Sequence, residues 1–361
     1  MKNIGFVLVC ISFWSAIHAQ APKFSNDFLN IGVGARGLAL GSAITSTSND
    51  VTAGYWNPSL LPYNSSKFQV AGQHAQWYAG IGNYDYVGFG KKLDSDGKSF
   101  GAVSLIRMGI DDIPNTLRLR GPDGSIDYSR ITSFSVADYA LLISYGRKLK
   151  VFEEENSGIN FGGNVKIVHR SFGSFAKSIG FGIDASFSYN KGNLRLSAMG
   201  RDITTTFNAY KFSFTDEEKS TLQLSGNDVP SSSTEITLPK VILGAAYKIQ
   251  LGEKIGILPS LDVEFSGNGT QSQLILPGSF GIDPRVGIEI DFRKKVFLRL
   301  GANNFQSILS LIEPDKKEFS VQPSGGLGIK FGRFTIDYAL TNIGNAGTGL
   351  YSNYVSLVLD F

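Results

Sequence analysis

Histidine, cysteine and paired carboxylates are the side chains from which hydrolytic and metal sites are built. This chain holds three His and one Cys in 361 residues. Cys10 lies within an N-terminal apolar run, so the chain beyond it has no thiol with which to form a disulfide or ligate a metal. The histidines beyond that run, His74 and His169, have no partners at a metal-ligand spacing. Asp111-Asp112 places two carboxylates at the head of a long connection, but adjacent Asp residues in loops are ordinarily solvated turn formers, and no nucleophile motif accompanies them. Gly32, Gly34, Gly37 and Gly41 invite a phosphate-loop reading. The Gly-Lys-Ser/Thr ending is missing, and so is a strand–helix context. These residues predict a non-enzymatic chain without a cofactor, in which the glycines serve close packing. A net charge of +3, spread evenly, gives no reason to expect nucleic acid as a partner.

The elements that would position side chains are strands. Charged residues make up 18% of the chain, aromatics 12%, and glycine is high at 42 residues, a balance suited to many strands joined by tight turns. Residues 1–19 read as a secretory signal peptide: Lys2, an apolar stretch from Gly5 to Trp14, and Ile17 and Ala19 at the −3 and −1 positions of the cleavage site. No later stretch is apolar for the 18 residues that a membrane helix needs. Period-2 alternation then carries the assignment. Val286, Ile288, Ile290 and Phe292 oppose Arg285, Gly287, Glu289 and Asp291, and Ile179 to Tyr189 alternates in the same way. Leu327, Ile329 and Phe331 precede a tight turn at Gly332-Arg333, followed by Phe334, Ile336 and Tyr338. One face of each run is apolar, and the other carries Gly, Ser and charge, as a filled lumen would require. Counting from Lys67 gives about fourteen strands, with short turns on one side and long connections on the other, the asymmetry of an outer-membrane barrel. The last strand places Val355, Leu357, Leu359 and Phe361 on one face, resembling the terminal signal read by barrel insertion machinery. The bilayer itself is then the first partner, because in lipid every backbone group must pair and the last strand must close onto the first.

Residues 20–64 do not alternate and are expected to form a hatch inside a barrel of residues 65–361. Asn57-Pro58 marks a turn with Trp56, Leu60 and Leu61 packed beside it. Arg36 is expected to pair with lumen-facing charges among Asp184, Glu289, Asp291, Arg299 and Asp337. The 203–237 connection carries Phe207, Tyr210, Phe212 and Phe214. Either these aromatics anchor a partner protein from an exposed loop, or they fold inward or extend a strand above the membrane. Ile308, Leu309, Leu311 and Ile312 form a second apolar group with the same two readings.

Three stretches carry a family resemblance: Ile31-Gly-Val-Gly-Ala-Arg36, Ala53-Gly-Tyr-Trp-Asn-Pro58, and His74-Ala-Gln-Trp77 with Asn83-Tyr-Asp-Tyr-Val-Gly-Phe89. They resemble the hatch region of FadL-type barrels and, more closely, the PorV/PorQ family of type IX secretion. The segment Arg201-Asp-Ile-Thr-Thr-Thr-Phe207 adds to the likeness. The resemblance implies a fourteen-stranded barrel with an occupied lumen. It also implies binding to outer-membrane secretion proteins, whether a translocon barrel, a sortase complex or cargo. The alternative within the same fold is a FadL-like transporter of hydrophobic small molecules. An apolar lumen pocket with a lateral opening would favour transport, and a lumen sealed by the hatch would favour partner binding.

Overall fold

The computed structural model describes residues 25–119, 125–151, 157–230, 232–267, 274–275, 281–309, 316–343 and 351–361. The signal-peptide stretch 1–19 lies outside them, as do Leu311 and Ile312. A closed antiparallel barrel of fourteen strands occupies the chain from Phe68 onward. The strands are β1 (Phe68–Trp77), β2 (Gly82–Lys92), β3 (Ser99–Asn115), β4 (Thr132–Val151), β5 (Gly158–Phe172) and β6 (Ala176–Lys191). β7 runs in two pieces (Leu194–Arg201 and Thr206–Phe212), and β8 in three (Ser232–Thr237, Lys240–Tyr247 and Ile249–Leu251). They continue as β9 (Ile255–Ser266), β10 (Gly281–Phe292), β11 (Val296–Leu309), β12 (Lys317–Phe331), β13 (Phe334–Thr341) and β14 (Ser352–Asp360). A short piece at Leu274–Ile275 pairs with the start of β10. Each strand pairs with its neighbour in sequence, and β14 closes on β1 from Gln69↔Asp360 to Gln76↔Asn353. The Phe361 ring stacks on Phe68 at 4.4 Å across this seam.

Alternation decides which way each side chain points. On β10, Val286 and Phe292 are exposed on the outer wall while Glu289 is buried inside. On β12 and β13, Leu327, Ile329, Phe331, Phe334, Ile336 and Tyr338 are all exposed outward. In water this would be a large apolar liability; against hydrocarbon it is the expected surface. Among the described residues no helix is long and apolar enough to cross a membrane. The two-residue turn at Gly332-Arg333, with Gly332 at φ 58°, shows why the periplasmic side stays short.

The hatch is made of short helices: a 3₁₀ turn at Asp27–Asn30, α1 (Ala35–Ala39), α2 (Ala53–Trp56) and a second 3₁₀ segment at Pro58–Tyr63. It lies within the barrel, packed on β3–β6 and on β11–β14. Val33, Ala35, Ala39, Trp56 and Leu61 are buried. Their apolar neighbours come from one side of the wall, among them Ala71, Tyr84, Tyr86, Phe100, Ile106, Leu142 and Tyr354.

The 203–237 connection is shorter than the sequence indicates. β7 resumes at Thr206 and pairs with β6 from Phe181↔Phe207 to Ala176↔Phe212. Phe207, Tyr210 and Phe212 therefore sit on a strand, not on a loop. An exposed helix, α3 (Asp216–Leu224), fills part of the remainder, with Thr215 and Glu218 forming a reciprocal capping box. The polar run Asp-Ile-Thr-Thr-Thr interrupts the alternation at 202–206, which is why the strand beyond it is hard to read. Asp111 and Asp112 likewise belong to an extended β3, exposed at a bulge where the register shifts between Ile110 and Ile113.

Candidate functional site

The hatch is short of backbone partners of its own, since five- and four-residue helices leave most terminal N–H and C=O groups unpaired. Wall side chains supply what is missing. Asp262 Oδ2 accepts from the Ile44 and Thr45 amides at 3.0 and 2.9 Å. Gln73 Oε1 accepts from Gly34 N, and Gln69 Oε1 from Val51 N. Ser356 Oγ accepts from Ala35 N, and Ser186 Oγ from Ser59 N. In the other direction, Ser260 and Ser324 donate to the carbonyls of Ala43 and Ala39. The small polar residues on the inward strand faces are thus a template for the hatch backbone, which accounts for their abundance on faces that never meet bulk water.

Glycine does the same work sterically. A Cβ on Gly162 would collide with the Pro58–Ser59 peptide, and one on Gly146 with the Pro58 carbonyl. One on Gly301 would strike the Leu40–Gly41 backbone. Main chain meets main chain at these points, and any side chain would displace the hatch.

The four hatch residues singled out from sequence all make structural contacts. Trp56 donates from Nε1 to the Val33 carbonyl at 2.7 Å, and its ring fills the clefts left by Gly32 and Gly37. Asn57 Nδ2 donates to Thr45 O at 2.7 Å while its Oδ1 accepts from Ser59 N and Oγ. Pro58 begins the second 3₁₀ segment, where its missing N–H costs nothing. Arg36 pairs with Glu289 through two nitrogens, at 2.8 and 3.1 Å, and reaches Thr47 O and Asn49. Burial opposes the Arg36 cation, but Glu289 more than offsets it and holds the guanidinium pKa above its ordinary value.

Glu289 also accepts from Arg299 Nε at 2.7 Å, and Arg299 Nη1 donates to Asp337 Oδ1 at 2.7 Å. The result is a neutral chain of four alternating charges, Arg36–Glu289–Arg299–Asp337, running from hatch to wall. Of the lumen charges expected near Arg36, Asp184 lies elsewhere, bound to Lys166 at 2.8 Å. Asp291 accepts from the Lys294 amide at the β10–β11 turn.

The break in β7 is not visible in the sequence pattern. Between β7 and β8 the register jumps from Arg201↔Lys240 to Thr206↔Thr237. Asp202 and Thr205 take positive φ values of 54° and 60°. Asp202 turns inward onto Lys166 Nζ at 2.6 Å, whereas Ile203 and Thr204 are exposed on the outside. Arg201 reaches the hatch on the inner side, its guanidinium 4.4 Å above the Tyr55 ring and donating to the Tyr55 carbonyl. One segment therefore joins a bulge in the wall to the hatch.

Above the hatch, on the side of the long connections, lies a cavity of about 510 Å³, within the ordinary range of small-molecule sites. Lys240, Glu264, Arg285 and Asp283 form a charged wall on one side of it, with Arg285 between the two carboxylates. Ile31, Leu38, Trp77 and Tyr354 supply its apolar side. Two smaller cavities, of about 320 and 150 Å³, lie on the periplasmic side beneath the hatch.

The aromatic residues of the β7 region divide by direction. Phe207 faces outward and is 54% exposed; Tyr210 faces inward and bonds to Arg170 and Glu235. Phe212 and Phe214 stack on each other at 6.1 Å, and Phe214 lies 5.9 Å from Phe175. At the C-terminus, Val355, Leu357 and Phe361 are exposed and Leu359 partly so. Ile308 and Leu309 are the last two residues of β11.

No family model matches the chain, and neither does any curated protein. Solved structures do. The toluene transporter TodX of Pseudomonas putida aligns with a TM-score of 0.54 at 14% identity, over 94% of this chain and 98% of that one. The toluene transporter TbuX of Ralstonia pickettii gives 0.52 at 12%, over 91% and 97%. A FadL homologue of Pseudomonas aeruginosa gives 0.54 at 10%, over 94% and 100%. The protein thus has the FadL-like fold of an outer-membrane barrel with a hatch.

Proposed function

We propose that the chain is a FadL-type outer-membrane conduit for small molecules, which enter the vestibule above the hatch and leave through the wall at the β7 break. One observation carries this reading. Lys240, which lines the vestibule, is the cross-strand partner of Arg201, which grips the hatch and opens the bulged segment 202–205. Entry, plug and wall irregularity therefore meet within one pair of residues. Transport of toluene belongs to the solved neighbours. In this chain, the mixed lining favours a solute with an apolar body and a polar or charged end.

The test is uptake into proteoliposomes of radiolabelled apolar and amphipathic solutes. Saturable uptake should fall when the 202–205 bulge is shortened to a regular strand. Equal uptake by the shortened barrel, at equal folded content, refutes the lateral route.

A second reading, the accessory barrel of type IX secretion suggested by the PorV/PorQ resemblance, is favoured by the tight seat of the hatch. Main-chain contacts at Gly146, Gly162 and Gly301 and the four-charge chain from Arg36 give a sealed lumen. The barrel would then act through its surface, with Phe207, Phe212 and Phe214 as anchors for a translocon barrel, a sortase complex or cargo. Purification from native membranes in mild detergent separates the two readings. Stoichiometric capture of a secretion protein, lost on Phe212→Ser and Phe214→Ser, supports the second, and purification alone with bound solute supports the first.

A further inference from the structure

Polar residues form a continuous rail across the lipid-facing wall of the first five strands. His74 on β1 opposes Asp85 on β2, Asp85 opposes Arg107 on β3, Arg107 opposes Tyr139 on β4, and Tyr139 opposes His169 on β5. Their side chains are linked. His74 Nδ1 lies 2.7 Å from Asp85 Oδ1, and Arg107 Nη1 lies 3.5 Å from Asp85 Oδ2. Arg107 faces Tyr139 across the β3–β4 ladder, and the Tyr139 ring stacks on His169. On β2 and β3, Asp85 and Arg107 share the outer face with exposed apolar residues, Val87, Phe89, Val103 and Leu105.

The rail runs low on β1 and β2 and climbs toward β5. Asp85 stands seven residues above the periplasmic end of β2 at Lys92. At about 3.3 Å per residue and a tilt of about 40° that is roughly 18 Å of height, within an apolar band about 25 Å tall. Tyr139 lies two strand spacings along the rail from Asp85; at about 4.8 Å per spacing and the same tilt it stands roughly 6 Å higher, near the outer boundary. On the far side of the barrel, β10 offers nothing but apolar side chains outward from Phe292 to Ile282, the full height of the band. The apolar belt is therefore complete at β10 and cut short at β1–β3. An ion pair at hydrocarbon depth is costly against lipid tails, and the default reading of an intramembrane charge is a functional contact.

We propose that the wall of β1–β3 is an interface within the membrane and that a second copy of this chain covers it. The charge pattern selects this occupant. Asp85 and Arg107 sit side by side, one anion and one cation, so a two-fold axis normal to the membrane sets Asp85 of each copy against Arg107 of the other. An anionic lipid headgroup would meet Asp85 as well as Arg107 and gain no net attraction. Gly72, outward beneath His74, presents no side chain, which lets two walls approach closely. The inference rests on the outer wall alone and is independent of what passes through the lumen.

The experiment uses the chain with Cys10→Ser, folded into lipid nanodiscs, and reads mass by native mass spectrometry and proximity by oxidative cross-linking of a Val87→Cys copy with a Leu105→Cys copy, two positions that oppose each other beside the axis. The expected result is a dimer with a cross-link between the Val87→Cys and Leu105→Cys copies. Asp85→Arg alone and Arg107→Asp alone should each weaken the dimer at least tenfold, and an equimolar mixture of the two should restore it. Asp85→Leu with Arg107→Leu makes the wall compatible with lipid and should give a folded monomer, with folding checked by heat-modifiable migration. A wild-type monomer without cross-links overturns the proposal, as does a mixture that fails to restore the dimer. Lipopolysaccharide bound to a monomer and released by Arg107→Gln, or cross-links to a different protein only, also overturns it.

Discussion

Replacing Arg36 with Gln removes one end of the Arg36–Glu289–Arg299–Asp337 chain and leaves the remainder with one excess negative charge. Arg36 and Glu289 are 13% and 10% exposed, so the pair is close to fully buried. Charge centres about 4 Å apart at an effective dielectric constant near 20 attract by roughly 4 kcal/mol. Breaking a buried pair from one side ordinarily costs about 3–5 kcal/mol, and the residual exposure of this one puts it at the lower end, about 3 kcal/mol. That free energy belongs to the docking of the hatch, not to the barrel, whose ladder is untouched. The population of undocked hatch should therefore rise about 150-fold, since about 1.4 kcal/mol is a factor of ten. Hydrogen exchange at the amides of 37–48 reads that population directly. The double variant Arg36→Gln with Glu289→Gln leaves Arg299 paired with Asp337, and it should recover most of the loss. If Arg36→Gln alters exchange less than threefold, or if the double variant is worse than the sum of the singles, the latch does not hold the hatch.

Three further outcomes follow from particular contacts. Gly162→Ala drives a methyl into the Pro58–Ser59 peptide and should cost about 1–3 kcal/mol, seen as faster proteolysis within residues 50–65 while the barrel keeps its heat-modifiable migration. Trp56→Ala empties the space against Gly32 and Gly37 and orphans the Val33 carbonyl; a loss of about 3–5 kcal/mol should appear as a lower midpoint in a urea titration of hatch fluorescence, read from an introduced reporter. Deleting Phe361 removes the stack on Phe68 and its backbone hydrogen bonds with Lys67 and Phe68 at the foot of the β1–β14 seam, so insertion into bilayers should slow severalfold, whereas Leu359→Ile should not change it.

Local signals made the barrel legible. β10 could be read residue by residue, because a wall between hydrocarbon and a packed lumen imposes a strict period of two, and Val286, Ile288, Ile290 and Phe292 obey it. The partner of Arg36 was narrowed to a few lumen carboxylates for a related reason: a cation confined in a barrel must meet inward anions. What could not be read was contact between distant segments. Nothing around Asp262 marks it as the acceptor for the Ile44 and Thr45 amides, and nothing near Gly162 names Pro58 as its neighbour. The β7 break was hidden because Asp-Ile-Thr-Thr-Thr looks like the start of a loop, and alternation resumes only for Thr206 to Phe212. His74 and His169 are on one outward rail, yet 95 positions apart they gave no hint of a shared face.

The two sides of the lumen hold the hatch by different forces, and this sets the direction in which it would move. On β1–β4 and β14, apolar packing on Trp56, Leu60 and Leu61 adds to the hydrogen bonds from Gln69, Gln73 and Ser356. On β7–β12 the grip is polar: Ser197, Asp262, Ser260, Glu289 and Ser324 bond to hatch atoms. Water entering from the vestibule replaces polar contacts at small net cost, because each lost hydrogen bond is exchanged for one to water. It cannot replace the apolar contact, which loses about 25 cal/mol for every Å² exposed. Any opening should therefore hinge on β1–β4 and part at β7–β12, the side of the wall break. Two staples distinguish the sides. Ser46→Cys with Ser197→Cys ties the hatch to β7, where the two hydroxyls lie 2.7 Å apart. Gly54→Cys with Ala102→Cys ties it to β3, where a Cβ on Gly54 would lie 3.6 Å from that of Ala102, close to disulfide geometry. In Cys10→Ser proteoliposomes the oxidised β7 staple should abolish solute uptake and reduction should restore it, while the β3 staple should leave uptake within twofold. Block by the β3 staple, or free passage with the β7 staple closed, would place the hinge on the wrong wall.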